Sequence, residues 1–196
     1  MEPFKNFKGK TVPLDRVNID TDQIIPKQFL KRIERTGFGK FLFNDWRFND
    51  DGSLNQEFIL NKEIYKSSSI LLTGENFGSG SSREHAAWAL HDYGFRCILA
   101  PSFADIFFNN CFQNGLLPIV LPKEKINNLF EESKNNNGLE LNIDLESQTI
   151  FNINLEINIA FDIDPYRKYC ILNGLDNIGL TLQHVDKIEL YENIDD

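Results

Sequence analysis

The chain has 196 residues, with 29 acidic against 20 basic side chains and a formal net charge of −9. This length suits one domain with a proper core, and we expect a single domain over residues 1–196 with a helical appendage around 165–196. The acidic excess, without any lysine-rich or arginine-rich block, argues against a nucleic-acid partner. No apolar run reaches the length of a membrane span or a signal-peptide core, so we expect a cytoplasmic protein that does not bind membranes.

The first third of the chain contains an acidic motif followed by a basic segment. The motif is Asp20-Thr21-Asp22-Gln23-Ile24-Ile25-Pro26, and its two aspartates favour side-chain turns that fix a loop over paired acid chemistry. Pro26 is predicted to open a helical turn over residues 27–33. The basic side chains of this segment are Lys31, Arg32 and Arg35. A basic cluster in an acidic chain is a candidate for handling an anionic substrate.

An aromatic segment spans residues 37–61, where the phenylalanines and Trp46 follow no clear period. We expect irregular structure here. The aromatic rings could fill an edge of the core or form a surface that another protein covers, and the sequence leaves both possibilities open.

The central stretch, Thr73 to His85, passes from a strand through a glycine-rich turn into a helix. Apolar residues at helical spacing predict the buried face of that helix as Ala86, Ala89, Leu90 and Tyr93, with Gly94 at its end. The turn contains Gly74, Gly78 and Gly80, which allow positive φ and a close backbone approach to a ligand. Because a helix start also offers free N–H donors, this pattern predicts an anion site.

A second interpretation of the same residues is a capping box, with Ser81 as the N-cap of the helix and Glu84 at its third position. On the motif alone the two interpretations stand about equal. A cap does not account for Arg83, because a cation in the first turn opposes the helix dipole and requires an anionic partner. Both can hold at once if the Ser81 hydroxyl faces the ligand.

Further strands and helices follow in alternation. Ser102 is predicted to cap a second helix towards Asp105. The strands predicted from apolar runs are 12–14, 17–19, 69–72, 97–100 and 116–121. Residues 139–155 predict a hairpin with apolar faces formed by Leu139, Leu141, Ile143 and Leu145 and by Thr149, Phe151, Ile153 and Leu155. Helices are predicted over 123–137, 166–173 and 176–184, and a last strand over 188–191.

Cysteine and histidine spacing indicates no metal site on this chain. The three cysteines, Cys97, Cys111 and Cys170, are far apart and form neither a disulfide framework nor a C-x-x-C motif. His85 and His91 fall on different faces of one helix.

The stretch Gly78-Ser79-Gly80-Ser81-Ser82-Arg83-Glu84-His85-Ala86, with the acidic motif upstream, resembles the swivel-domain signature of the aconitase superfamily. The length and order of elements resemble the separate small subunits of the 3-isopropylmalate dehydratases, over nearly the whole chain. Two motifs at this separation are far more specific than a lone glycine-rich loop. The resemblance implies an α/β fold, a β/β/α swivel domain with a mixed β core and outer helices.

The same resemblance implies a hydro-lyase that interconverts 2-isopropylmalate and 3-isopropylmalate in leucine biosynthesis by dehydration and rehydration. It implies no cofactor on this chain and a 4Fe-4S cluster on a large subunit, with which the chain would form a heterodimer or heterotetramer. By position, Ser81 matches the catalytic serine that removes a carbon-bound proton, and Ser82 and Arg83 match contacts to the substrate carboxylate. The loop residues Gln28, Phe29, Leu30 and Lys31 are expected to select the side group of the substrate.

Three alternatives remain at this point. The chain could be the small subunit of a related homoaconitase or methylmalate (citraconate) hydro-lyase, which would differ mainly between Lys27 and Arg35. It could instead be an anion-binding regulatory subunit without catalytic residues. A nucleotide-binding module is disfavoured, because the loop has neither G-x-x-x-x-G-K-[ST] nor G-x-G-x-x-G.

Overall fold

A computed structural model describes residues 1–30, 36–136, 138–182 and 184–185. It contains a seven-stranded mixed sheet in the order β4-β3-β2-β1-β5-β6-β7. The strands are β1 Phe7–Leu14, β2 Ile70–Thr73, β3 Cys97–Ala100, β4 Leu117–Val120, β5 Glu140–Asp144, β6 Thr149–Asn152 and β7 Ile157–Ala160. Strands β1 to β4 pair in parallel, while β1 and β5 to β7 pair antiparallel. The mixed β core with outer helices that the resemblance implied is therefore present.

Helices connect the parallel strands, as parallel pairing requires a crossover. The α-helices are α1 Thr21–Ile24, α2 Asn44–Arg47, α3 Glu84–Tyr93, α4 Asp105–Gln113, α5 Lys123–Asn135, α6 Pro165–Leu172 and α7 Asn177–Leu182. Both faces of the sheet are buried, because Leu71 packs into one apolar cluster while Ile70 and Leu72 pack into the other. No helix in the described ranges is long and apolar enough to cross a membrane.

The aromatic segment fills the core on the α3 side of the sheet. Phe38, Phe43 and Phe58 are buried in the same cluster as Leu71. Arg47 ties the segment together, since it donates hydrogen bonds to backbone carbonyls of the segment and its guanidinium lies 4.9 Å from the ring centre of Tyr93. Of the two interpretations left open by the sequence, core filling is the one that the structure supports.

Both predicted N-caps are wrong. Helix α3 begins at Glu84, and its N-cap is Arg83, in extended conformation with φ −142° and no side-chain cap. Ser81 therefore lies two residues before the N-cap and does not cap the helix. Helix α4 begins at Asp105 without a side-chain cap, and the Ser102 hydroxyl instead accepts a hydrogen bond from the N–H of Asn76, at 2.9 Å.

The hairpin is present, but one of its predicted faces is wrong. Ile143 of β5 lies opposite Ile150 of β6, so Ile150 shares the buried face of the sheet. The predicted alternate set includes Ile153, which is 81% exposed in a 3-10 turn after β6. A shift of one residue moves every side chain of a strand to the other face.

The other predicted helices and strands are confirmed, wrong, or outside the described residues. Helices α6 and α7 confirm the two helices expected after residue 165. Residues 17–19 are not a strand, because Asn18 has a positive φ of 54°. The predicted strand over 188–191 and the basic side chains of residues 31–35 lie outside the described residues. The division into one domain with a helical appendage stays a prediction.

Candidate active site

The glycine loop, residues 74–83, connects β2 to α3 at the carboxyl end of the parallel strands. It lies close against α4. Gly78 has φ +78°, and a Cβ atom there would stand 2.1 Å from Cγ of Phe107, so this position admits only glycine without rearrangement. The N–H of Gly78 donates to the carbonyl of Ile19 at 2.8 Å, which joins the loop to the acidic motif.

The acidic motif forms α1, which fixes the glycine loop from the other side. Thr21 donates from its N–H to the carbonyl of Ser79 at 2.9 Å and from its hydroxyl to the carbonyl of Ser81 at 2.8 Å. Asp20 caps α1 in a full capping box with Gln23. For Asp20, the predicted role in fixing a loop is confirmed.

Asp22 has a different role, which the sequence did not reveal. Its two carboxylate oxygens accept hydrogen bonds from the two terminal nitrogens of Arg83, with the Nη2–Oδ2 distance at 2.9 Å. These bonds lower the pKa of the Asp22 carboxyl below its usual value. The anionic partner that Arg83 was expected to require is thus Asp22. In the sequence, Asp20 and Asp22 look alike, so nothing there indicates that only Asp22 forms an ion pair with a distant arginine.

A small cavity, which we call the loop cavity, lies between the glycine loop and the start of α4. Its volume is about 230 Å³. It is lined by Thr21, Gly78, Gly80, Ser81, Ser82, Arg83, Ala104, Asp105, Ile106 and Phe107. The loop and α4 are held together by the N–H of Ala104, which donates to the carbonyl of Phe77 at 3.0 Å.

The loop cavity offers mainly hydrogen-bond donors. Between described residues, no hydrogen bond uses the N–H groups of Ser81 or Ser82. The first turn of α4 adds N–H groups that have no partner within the helix. With two serine hydroxyls and the Arg83 guanidinium, this set suits a carboxylate or a developing negative charge. Asp105 also lines the cavity, and its carboxylate repels an anion. An anion is therefore expected to bind on the glycine-loop side of the cavity, away from Asp105.

His85 lies beside the cavity but is engaged in packing. Its ring contacts Phe38 edge to face at 5.3 Å between centres and lies 4.6 Å from Trp88. Burial lowers its pKa, and Glu84 only partly offsets this by raising it. Burial thus favours the uncharged form of the imidazole.

Of the four loop residues expected to select the side group of the substrate, two pack against other side chains and one is exposed to solvent. Phe29 stacks on Phe41 at 4.1 Å between ring centres, and Leu30 packs against the core, so each offers only part of its side chain. Gln28 is exposed, and Lys31 lies outside the described residues. None of the described three lines the loop cavity. The structure thus brings together Ser81, Ser82 and Arg83, but it leaves the loop at the side.

The described residues do not fit an iron–sulfur cluster. They contain no group of three or more histidine, cysteine, aspartate or glutamate side chains that could hold a metal ion. Cys97 and Cys111 are fully buried, and burial raises the pKa of both thiols. Thiolates, rather than thiols, bind metal, so neither side chain suits a cluster.

Comparison with known proteins identifies the family. The family model of the aconitase C-terminal domain matches residues 1–124, and a model of the C-terminal domain of 3-isopropylmalate dehydratase small subunits matches residues 177–193. The chain is 58% identical to a 3-isopropylmalate dehydratase small subunit of Brevibacillus brevis, over 98% of both chains. It is 54% identical to one of Aromatoleum aromaticum, over 98% of this chain and 94% of the relative.

A crystal structure of 3-isopropylmalate dehydratase from Methanocaldococcus jannaschii has the same fold. The TM-score is 0.67 at 24% identity, over 98% of this chain and 100% of that one. The predicted aconitase-type swivel fold is confirmed by this likeness and by the family match. On the identity and coverage of these relatives, the chain belongs to the aconitase C-terminal domain family and, within it, to the small subunits of the 3-isopropylmalate dehydratases.

Proposed function

We propose that this chain is the small subunit of a hydro-lyase that interconverts 2-isopropylmalate and 3-isopropylmalate in leucine biosynthesis. The names of the full-length relatives support this substrate over the homocitrate-type and methylmalate-type acids. The observation that carries the proposal on the chain itself is the loop cavity, where Ser81, Ser82 and Arg83 surround a space suited to a carboxylate. A location in the cytoplasm is part of the same prediction.

Ser81 is the proposed base. As an alkoxide it takes the proton from the substrate carbon, and hydroxide leaves the neighbouring carbon to give an unsaturated diacid. Water then adds in the opposite sense. Its hydroxide bonds to the first carbon, its proton neutralises the hydroxide that left, and the proton held by Ser81 returns to the second carbon. A serine hydroxyl is a weak base unless its alkoxide is stabilised, and the free N–H groups of the loop and the nearby guanidinium of Arg83 supply that stabilisation.

Ser82 and Arg83 are proposed to hold a substrate carboxylate. A guanidinium grips a carboxylate in two places, and a serine hydroxyl adds a third hydrogen bond. This fixes the carbon that loses its proton with respect to Ser81. Orientation of this kind accounts for several kcal/mol of a barrier, on the order of 7–11 kcal/mol in the best cases.

The other half of the site is proposed to come from a large subunit. Its 4Fe-4S cluster supplies, when bound, a Lewis acid for the departing hydroxide. The description of the relatives as small subunits supports such a partner, in a complex whose stoichiometry is open. The residues Gln28, Phe29, Leu30 and Lys31 are proposed to contact the side group of the substrate once the complex has formed.

Reconstitution tests this function. The chain and the large subunit encoded by the same organism are purified anaerobically, separately and together, and each sample is analysed for iron, sulfide and turnover of 2-isopropylmalate, a methylmalate and a homocitrate-type acid. We expect iron and sulfide with the large subunit, and turnover of isopropylmalate only in the mixture. A stoichiometric cluster on this chain alone, or turnover by the large subunit alone, would contradict the proposal. The second result would favour a regulatory subunit.

A further inference from the structure

The ion pair between Asp22 and Arg83 is built more firmly than most surface pairs. The Arg83 side chain is 8% exposed and that of Asp22 is 40% exposed, so the guanidinium is held against the protein while the carboxylate closes it from outside. Asp22 sits on α1, which is fixed by its own capping box and by the bonds from Thr21 to the glycine loop. Both partners are therefore placed by backbone that has little freedom.

The pairing leaves part of the guanidinium available. An arginine guanidinium has five N–H donors and can bind a carboxylate along two of its edges. The end edge carries the two terminal nitrogens, and the side edge carries Nε and one terminal nitrogen. Asp22 occupies the end. Between described residues, no hydrogen bond uses Nε of Arg83, so the side can still grip a second carboxylate in two places.

We propose that Asp22 is a positioning residue, which holds the end of the Arg83 guanidinium so that its Nε side faces a substrate carboxylate in the loop cavity. This inference rests on the proposed function, because it assumes that Arg83 binds the substrate. Asp22 itself does not touch the substrate.

The charge of Asp22 separates the positioning role from a competing one, in which Asp22 only competes with the substrate for Arg83. The Asp22 carboxylate remains ionised at neutral pH, since its pKa is lowered mainly by the hydrogen bond from Arg83. Its negative charge offsets that of Arg83 and repels a dicarboxylate. Asp22 can therefore help binding only by orienting the guanidinium, and if it merely competed for Arg83, its removal would strengthen binding. The two roles predict opposite changes in KM.

Lys27 adds a second cation to this group. Its Nζ lies 3.6 Å from Oδ2 of Asp22, so one carboxylate stands between two positive charges. The local net charge stays positive although Asp22 pairs with Arg83, and the orienting carboxylate does not remove the attraction for an anion. Lys27 also opens the turn that contains Gln28 and Phe29, which places the expected side-group loop directly beside the pair.

The experiment uses the reconstituted complex with 2-isopropylmalate. KM, kcat and the melting temperature are measured for Asp22→Asn, Arg83→Lys and the double variant. Asp20→Asn is the matched control, because it changes the neighbouring aspartate of the same motif and asparagine caps a helix as well as aspartate. We expect Asp22→Asn to raise KM by about tenfold to a hundredfold, by analogy with the loss of a hydrogen-bond partner that orients a metal ligand, with kcat nearly unchanged.

The double variant decides whether Asp22 acts through Arg83. If it does, the double variant has about the KM of Arg83→Lys alone, while independent effects would multiply. An unchanged or lowered KM in Asp22→Asn, beside a raised KM in Arg83→Lys, overturns the positioning role and leaves the proposed function intact. An unchanged KM in Arg83→Lys rejects the substrate contact itself, and both proposals lose their basis. If Asp22→Asn does not assemble, Asp22→Ala replaces it, where the loss of the carboxylate should raise KM and an unchanged KM overturns the role.

Discussion

Replacement of Ser81 by alanine should separate activity from stability. The Ser81 hydroxyl has no hydrogen-bond partner between described residues, its side chain is exposed, and it lies outside α3. Its loss should therefore cost less than about 0.5 kcal/mol, the usual range for surface substitutions. In a chain of this size, 1 kcal/mol shifts the melting temperature by roughly 2–4 °C, so a shift below about 2 °C is expected.

Activity should respond very differently. Removal of a positioned base typically lowers the rate by about 100-fold to 10,000-fold, and we expect Ser81→Ala to lose kcat on this scale with little change in KM. The assay is turnover of 2-isopropylmalate by the reconstituted complex, beside thermal melting of each variant. Ser79→Ala serves as a control in the same loop, because the Ser79 contacts to α1 run through its backbone. A Ser81→Ala complex with near-normal kcat would refute the assignment of the base.

Three further predictions concern selectivity, the thiols and the glycine loop. Leu30→Ser should lower kcat/KM more for isopropylmalate than for a smaller malate, by about 1–3 kcal/mol, and equal losses would exclude this residue from selectivity. Because burial raises the pKa of Cys97 and Cys111, neither should react with a thiol reagent in the native chain at pH 8, whereas both should react after denaturation. Gly78→Ala should cost roughly 2–5 kcal/mol of unfolding free energy through positive φ and overpacking. Gly37→Ala is also at positive φ, but among the described residues no atom lies within 4 Å of its added Cβ, so it should cost only the conformational part. Similar melting temperatures for the two variants would contradict the packing argument.

The parts of the fold that were predictable depend on local pattern. Strand β3 was predicted with its observed bounds, and Ala86, Ala89 and Leu90 form the buried face of α3 as their spacing indicates. Apolar periodicity decides which face of such an element is buried, whichever neighbours cover it. The order of strands and helices followed in the same way.

The errors lie where a distant segment decides the local conformation. Ser81 had the sequence of an N-cap, but α1 holds its carbonyl through Thr21 and holds the Arg83 side chain through Asp22. Arg83 is extended and the helix begins only at Glu84. The face of β6 was set by Ile143 across the hairpin, and not by its own alternation. A single sequence shows neither partner, because both contacts depend on tertiary register.

The exposure of Ser81 explains why one chain would not suffice for the proposed chemistry. In water, a serine alkoxide has no advantage from fixed N–H groups, since solvent competes for the same hydrogen bonds. Those donors become effective only when water is excluded, and in the isolated chain the side chains of Ser81 and Ser82 both face solvent. A second surface must therefore cover the loop cavity before Ser81 can act as a base. If Ser81 is the base, as proposed, its exposure on this chain is thus a second argument for a partner, beside the description of the relatives as small subunits.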